Sequence, residues 1–153
     1  MQEELSIFIS APIKDGKRLV ELSRPQSHFH VVIKNNSTNM VEFWSEESSW
    51  GFYNLSFEVS GFNKETFVLK RKAREWDKNF PDHFSVEPKG YFVMTINFQD
   101  GSWQGFPEWV LKKQGIVISL ISIYDVSSTP EAMEHNIWIG KIVSEKKEFV
   151  FWT

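Results

Sequence analysis

Two histidines two residues apart, His28 and His30, are the first place in this chain where residue type and spacing could do chemistry. Successive side chains alternate along a strand, so both imidazoles would leave the same face and could share a metal ion. A usable site needs a third ligand and groups that orient the first three. His83 or His135 could supply that ligand, yet nothing in their spacing brings them near, and two surface histidines on one strand is the simpler expectation. The chain has 20 acidic residues but no short motif that singles out an acid–base pair. Asp77 and Asp82 flank Phe80-Pro81, where short carboxylates stabilise turns. There is no Gly-x-Ser-x-Gly elbow and no glycine-rich phosphate loop after a strand. With no cysteine, thiol catalysis, disulfides and thiolate metal sites are excluded. The chain is therefore expected to be non-enzymatic, with no catalytic residue, no metal ligand set and no cofactor.

Aromatic residues in connecting segments are the stronger signal. Trp76 and Phe80 fall in the stretch 74–84, and Trp103, Phe106 and Trp109 in the stretch 100–114; Trp44 and Trp50 flank Ser45 to Ser49. A loop tryptophan either covers the end of a core or meets a partner. Exposed in twos or threes, such rings form the rigid amphipathic patches used as protein hot spots or as stacking platforms for sugars. Trp76, Asp77, Phe80, Asp82, Trp103, Phe106 and Trp109 are the candidate binding residues. The carboxylates and Gln104 could take sugar hydroxyls.

The elements that would position these residues are strands. His28 to Lys34 alternates, with Phe29, Val31 and Ile33 on one side, and the turn formers Asn35 to Asn39 follow it. Met40 to Trp44, Tyr53 to Val59, Thr66 to Lys70 and Tyr91 to Phe98 alternate in the same way. Val117 to Tyr124 is apolar on both faces and reads as a central strand. Trp138 to Val143 and Phe149 to Trp152 read as two short closing strands, and Leu5 to Ile9 and Arg18 to Leu22 as edge strands. Charges at Lys146, Lys147 and Glu148 suit a protected edge for the last strand. Val86 to Gly90 is a turn, and Thr129 to His135, with a capping Thr and Pro at the first helical position, is the one plausible helical turn. Nine or ten short strands without an amphipathic helix predict an all-β sandwich spanning residues 1–153 as one domain.

Composition agrees. Aromatic residues make up 16% of the 153 residues, a richness that favours pleated surfaces. A net charge of −3 without a basic cluster excludes nucleic acid as a partner. The densest basic run, Lys70 to Arg74, reads as a solvated strand end. The longest apolar run, Ile116 to Tyr124, is too short to be a membrane span. Met1-Gln2-Glu3-Glu4 is not a signal peptide, so a cytoplasmic location is expected, or the bacterial periplasm or cell envelope if a leader has been removed. Asn35, Asn36 and Asn54 each begin an Asn-x-Ser/Thr triplet, which matters only in a eukaryotic secretory pathway.

Three stretches carry a resemblance. Phe29-His30-Val31-Val32-Ile33-Lys34-Asn35-Asn36-Ser37 resembles the strand, Asn-x-Ser, strand opening of bacterial immunoglobulin-like domains. Ser85-Val86-Glu87-Pro88-Lys89-Gly90 resembles their Leu-x-Pro-Gly-Glu turn. Trp138-Ile139-Gly140-Lys141-Ile142-Val143-Ser144, followed by Glu148 to Phe151, looks like their closing Trp-x-Gly-x-Val-x-Ser hairpin. Together these cover residues 28–152 in order. The arrangement is similar to uncharacterised bacterial envelope proteins and, more distantly, to the intracellular proteinase inhibitor family typified by the Bacillus inhibitor. The resemblance implies an immunoglobulin-like β-sandwich. The expected function is a binding or structural module whose partner is another protein, met through the aromatic loops. A carbohydrate-binding module is the alternative, and a proteinase-inhibitor-like domain is what the more distant resemblance implies.

Overall fold

The computed structural model describes residues 4–22, 28–61, 65–107 and 115–152. Its strands are β1 (Leu5–Ser10), β2 (Ile13–Lys14), β3 (Lys17–Glu21), β4 (Phe29–Asn35), β5 (Val41–Trp44), β6 (Leu55–Ser60), β7 (Thr66–Arg71), β8 (His83–Val86), β9 (Tyr91–Ile96), β10 (Trp103–Gln104), β11 (Ile116–Val126), β12 (Gly140–Val143) and β13 (Lys147–Trp152). Two single-turn helices, α1 (Ser49–Phe52) and α2 (Pro130–Glu134), interrupt them.

The alternation of apolar and polar residues sets the layers. Along β11 every even residue from Ile116 to Val126 is buried, while Val117 and Asp125 are exposed and the odd residues between them are half-buried. Period two thus turns one face of the strand inward. A large sheet runs β10-β7-β6-β11-β13-β3-β2, with β12 also on β11. A smaller sheet, β1-β4-β9, packs against it, and the pair β5-β8 extends that layer. Phe29 of β4 meets Phe57 of β6 at 5.7 Å, and Phe43 of β5 and Phe92 of β9 meet Tyr124 of β11 at 6.4 and 6.3 Å. These contacts between layers make the fold an all-β sandwich.

Several local devices decide the topology. The turn Lys14-Asp15-Gly16-Lys17 joins β2 to β3 with φ of 53° at Asp15 and 77° at Gly16. Positive φ at both central residues is the hairpin geometry that Asp-Gly favours. β3 is therefore not an edge: β2 covers one side, and β13 pairs in parallel on the other, Val150 with Leu19. Nor do β12 and β13 form a hairpin. Both run antiparallel along the same side of β11, where Ile123 pairs with Val143 and Leu120 with Lys147. Between these pairs two residues of β11 face three, Ser144 to Lys146, which is a β-bulge. Ser144 holds the bulge: its Oγ accepts from Ser122 N at 2.8 Å, and its N–H donates to the Ser122 carbonyl at 3.0 Å. β13 accordingly lies inside the sheet, and Lys146 does not protect an edge.

A second irregularity lies in the small layer. β4 and β5 run on in one direction, as do β8 and β9 beside them, and both lines are broken at the same level. Asn35 fills the gap. Its side chain is fully enclosed, and its Nδ2 donates to the carbonyls of Asn39 (2.8 Å), Val86 (3.1 Å) and Glu87 (3.1 Å). Its Oδ1 accepts from the Ser37 N–H and hydroxyl. The residues 87–90 are thus a detour within one line of strand rather than a hairpin. Because Asn35 is enclosed, its Asn-x-Ser triplet cannot carry a glycan in the folded protein. α2 forms as expected, with the Thr129 hydroxyl accepting from Ala132 N at 3.0 Å.

Candidate functional site

The segment 72–82 drapes over α1, and each of its ends is hydrogen-bonded. Lys72 N donates to the Ser102 carbonyl at 2.7 Å, and Arg74 N to the Tyr53 hydroxyl at 3.1 Å. Asn79 closes a two-way clasp on Ser49: its Oδ1 accepts from Ser49 N at 2.9 Å and its Nδ2 donates to Ser49 Oγ at 2.7 Å. Ser45 N then donates to the Asp82 carbonyl at 2.9 Å. α1 can lie this close because Gly51 has no side chain; a Cβ there would stand 2.1 Å from the Ser45 carbonyl oxygen.

Rings and guanidinium groups alternate over this clasp. Arg74 sits 4.1 Å from the centroid of Trp76 and 5.2 Å from that of Phe52. Arg71 lies 4.4 Å from Phe52 and 5.1 Å from Trp103. Trp76 meets Phe52 and Tyr53 edge-on at 5.5 and 6.5 Å. Cations over ring faces are favourable, more so when partly desolvated. Arg71 is no solvated strand end: nearly buried, it pairs with Glu46 at 3.1 Å and donates to the Phe52 carbonyl at 3.4 Å. Burial raises the Glu46 carboxyl above its ordinary value, and the Arg71 charge opposes that shift. Burial pushes the Tyr124 phenol well above its usual range too.

The residues expected to bind separate into groups. Trp76 is half-buried, Asp77 and Asp82 are exposed, and Phe80 is 62% exposed; all four share this one loop. Trp103 is not a surface anchor. It is 4% exposed and packs on Phe57 at 5.3 Å and Phe98 at 5.5 Å, because β10 pairs with β7 and turns the indole inward. Phe106 is half-buried against Phe98 and Phe151. Gln104 is exposed on β10, and Trp109 lies outside the described residues. Trp44 is core, while Trp50 is half-buried 6.1 Å from it. The sequence reading missed Phe52, Tyr53, Arg71 and Arg74. Their signal was the cationic run next to an aromatic loop, Arg71 to Trp76.

The histidines form two pairs in different places. His28 and His30 meet at 5.3 Å on β4 and the residue before it. His83 and His135 meet at 4.7 Å beside Trp44. Glu42 joins the second pair, with Oε2 2.9 Å from His83 Nδ1 and Oε1 accepting from the Ser85 hydroxyl. The Ser85 bond, and then His83, hold the Glu42 carboxyl below its ordinary value of 4.5 against the opposing effect of burial. Here the carboxylate bridges Ser and His, so no histidine is placed to take the serine proton, as nucleophilic catalysis would need. Among the described residues no group of three His, Asp or Glu is placed to hold a metal ion. No helix among them is long and apolar enough to cross a membrane.

Comparison of the chain with family models, curated proteins and solved structures finds no match.

Proposed function

We propose that the protein is a non-enzymatic binding module that takes another protein on the platform formed by loop 72–82 and α1. One observation carries the reading: the Arg74 guanidinium lies over the rings of both Trp76 and Phe52, and the loop that carries Trp76 also exposes Phe80 and is clasped to α1 through Asn79 and Ser49. Trp and Arg are the residue types that dominate binding hot spots. A loop ordered before binding loses little conformational entropy on association. Asp77 and Asp82 supply the polar rim that such patches carry.

Affinity capture from the source cells with the wild type, W76A and F80A tests the proposal. A partner retained by the wild type and lost by both variants supports it. Identical partners for all three proteins refute it. A carbohydrate ligand is the second reading, favoured by the carboxylate of Asp77 directly following the Trp76 indole. Tryptophan fluorescence titrated with a glycan panel distinguishes the two, since only a sugar ligand shifts the emission there.

A further inference from the structure

β9 is a six-residue strand, Tyr-Phe-Val-Met-Thr-Ile, with no charge, proline or glycine. It pairs with β4 on one side only. The phase of that pairing is set by Asn35 N donating to the Gly90 carbonyl at 2.8 Å. In an antiparallel ladder hydrogen-bonded pairs alternate with unbonded ones. Phe92, Met94 and Ile96, opposite Ile33, Val31 and Phe29, therefore bond to β4. Tyr91, Val93 and Thr95 then point their N–H and C=O groups away from β4, and no described strand meets them. Tyr91 is 65% and Val93 46% exposed. Edge strands are usually blunted by charge, proline or a bulge, and β9 has none of these. Phe92, Val93 and Met94 line a groove of about 260 Å³ together with Ser45, Glu46, Glu47 and Gly51. Of those two carboxylates, Glu46 is committed to Arg71.

We propose that β9 pairs antiparallel with β9 of a second copy of this chain, about a two-fold axis at Val93. The outward-facing residues admit this register. Val93 falls opposite Val93 and Tyr91 opposite Thr95, so the three donors and three acceptors of each strand are all met. On the inner face Phe92 falls opposite Met94. Lys89 falls opposite Asn97, so no like charges face each other along the ladder. The pairing also extends an apolar stripe already in place: Phe8 lies beside Val32, and Val32 beside Val93, on the outer face of the small sheet. Two such stripes meeting at Val93 run unbroken across six strands, and cross-strand pairs of β-branched and aromatic residues are the unit of sheet stabilisation. β1, the other long edge of this sheet, differs. Its flank faces Glu145 and Lys147 beside the bulge. This inference does not depend on the reading of loop 72–82.

Sedimentation equilibrium of the full chain is the test, carried to about 100 µM because edge contacts are small and weak. The wild type is expected to dimerise. V93K sets like charges opposite each other at the axis and is expected to weaken the dimer at least tenfold, with an unchanged circular dichroism spectrum. V93P removes one outward N–H without touching the β4 ladder and is expected to do the same. V117K, on the exposed face of the large sheet, is the control and should leave the dimer intact. Hydrogen exchange adds a residue-level readout: protection of Tyr91, Val93 and Thr95 should rise with concentration, while Phe92, Met94 and Ile96 stay protected throughout. A wild type that is monomeric over the whole range overturns the proposal. So does a dimer untouched by V93K and V93P, or one weakened equally by V117K.

Discussion

Asn35 shows how much one side chain can decide. Its amide donates to three carbonyls where both ladders are broken, and its own oxygen is taken by Ser37. Replacing it with Leu keeps the volume and removes every one of these hydrogen bonds. Each such bond contributes about 1 kcal/mol net, so the loss of several together in N35L should lower unfolding stability by at least about 2 kcal/mol in urea titration. The tryptophans separate at the same scale. W103A opens a cavity and should cost about 3–5 kcal/mol. W76A, at a half-buried loop position, should cost much less while removing a ring of the proposed platform, and urea titration of the two variants side by side reads the contrast. Glu42 gives the pH dependence. Its carboxyl is held below 4.5 in the folded protein, so the folded state gives up this proton more readily than the unfolded chain. The stability it contributes is present above that ordinary value and is lost as pH falls through the lowered one. E42Q should therefore narrow its stability difference from the wild type as pH drops from neutral into the acid range, measured by thermal melting at several pH values.

At the scale of elements, the platform depends on α1 resting against the Ser45 turn. The Ser45 carbonyl leaves no room for a Cβ at residue 51, and backbone cannot yield as a flexible side chain can. G51A should displace α1, and with it Phe52 and the clasp to Asn79. The expected result is a loss of about 1–3 kcal/mol, the range of overpacked sites, together with faster amide exchange at Ser49, whose N–H bonds to Asn79. Elements were also where the sequence reading met its limits. Alternation located β4, β6, β9 and β11 because period two is a local property of an extended chain. The hairpin of β2 and β3 was equally legible in Asp15-Gly16, a pair whose backbone preferences fit the turn, but it was not read. That β12 and β13 are collinear could not be read, because a bulge is defined by the partner strand and not by the bulged one.

At the scale of the molecule, the sandwich closes through pairings distant in sequence. β3 and β13 join Leu19 to Val150, and β6 and β11 join Leu55 to Tyr124. Loop closure over such distances precedes any gain from the contact, so refolding after denaturant dilution should take milliseconds to seconds, as stopped-flow fluorescence would show. The candidate site is assembled at this scale too. Phe52 and Tyr53 come from α1 and its end, Arg71 from β7, and Trp76 from the loop, brought together only when β6 and β7 are paired.

The amino-acid order alone determined the fold class, the inward face of each long strand and the aromatic character of loop 72–82. These rest on side-chain alternation and turn chemistry, which act between near neighbours. Tertiary structure decided which tryptophan is buried. Trp76 and Trp103 look alike in the chain, yet β10 pairing on β7 drives Trp103 into the core while Trp76 stays at the surface. Burial depends on what the rest of the chain places beside a residue, and spacing along the sequence does not encode that.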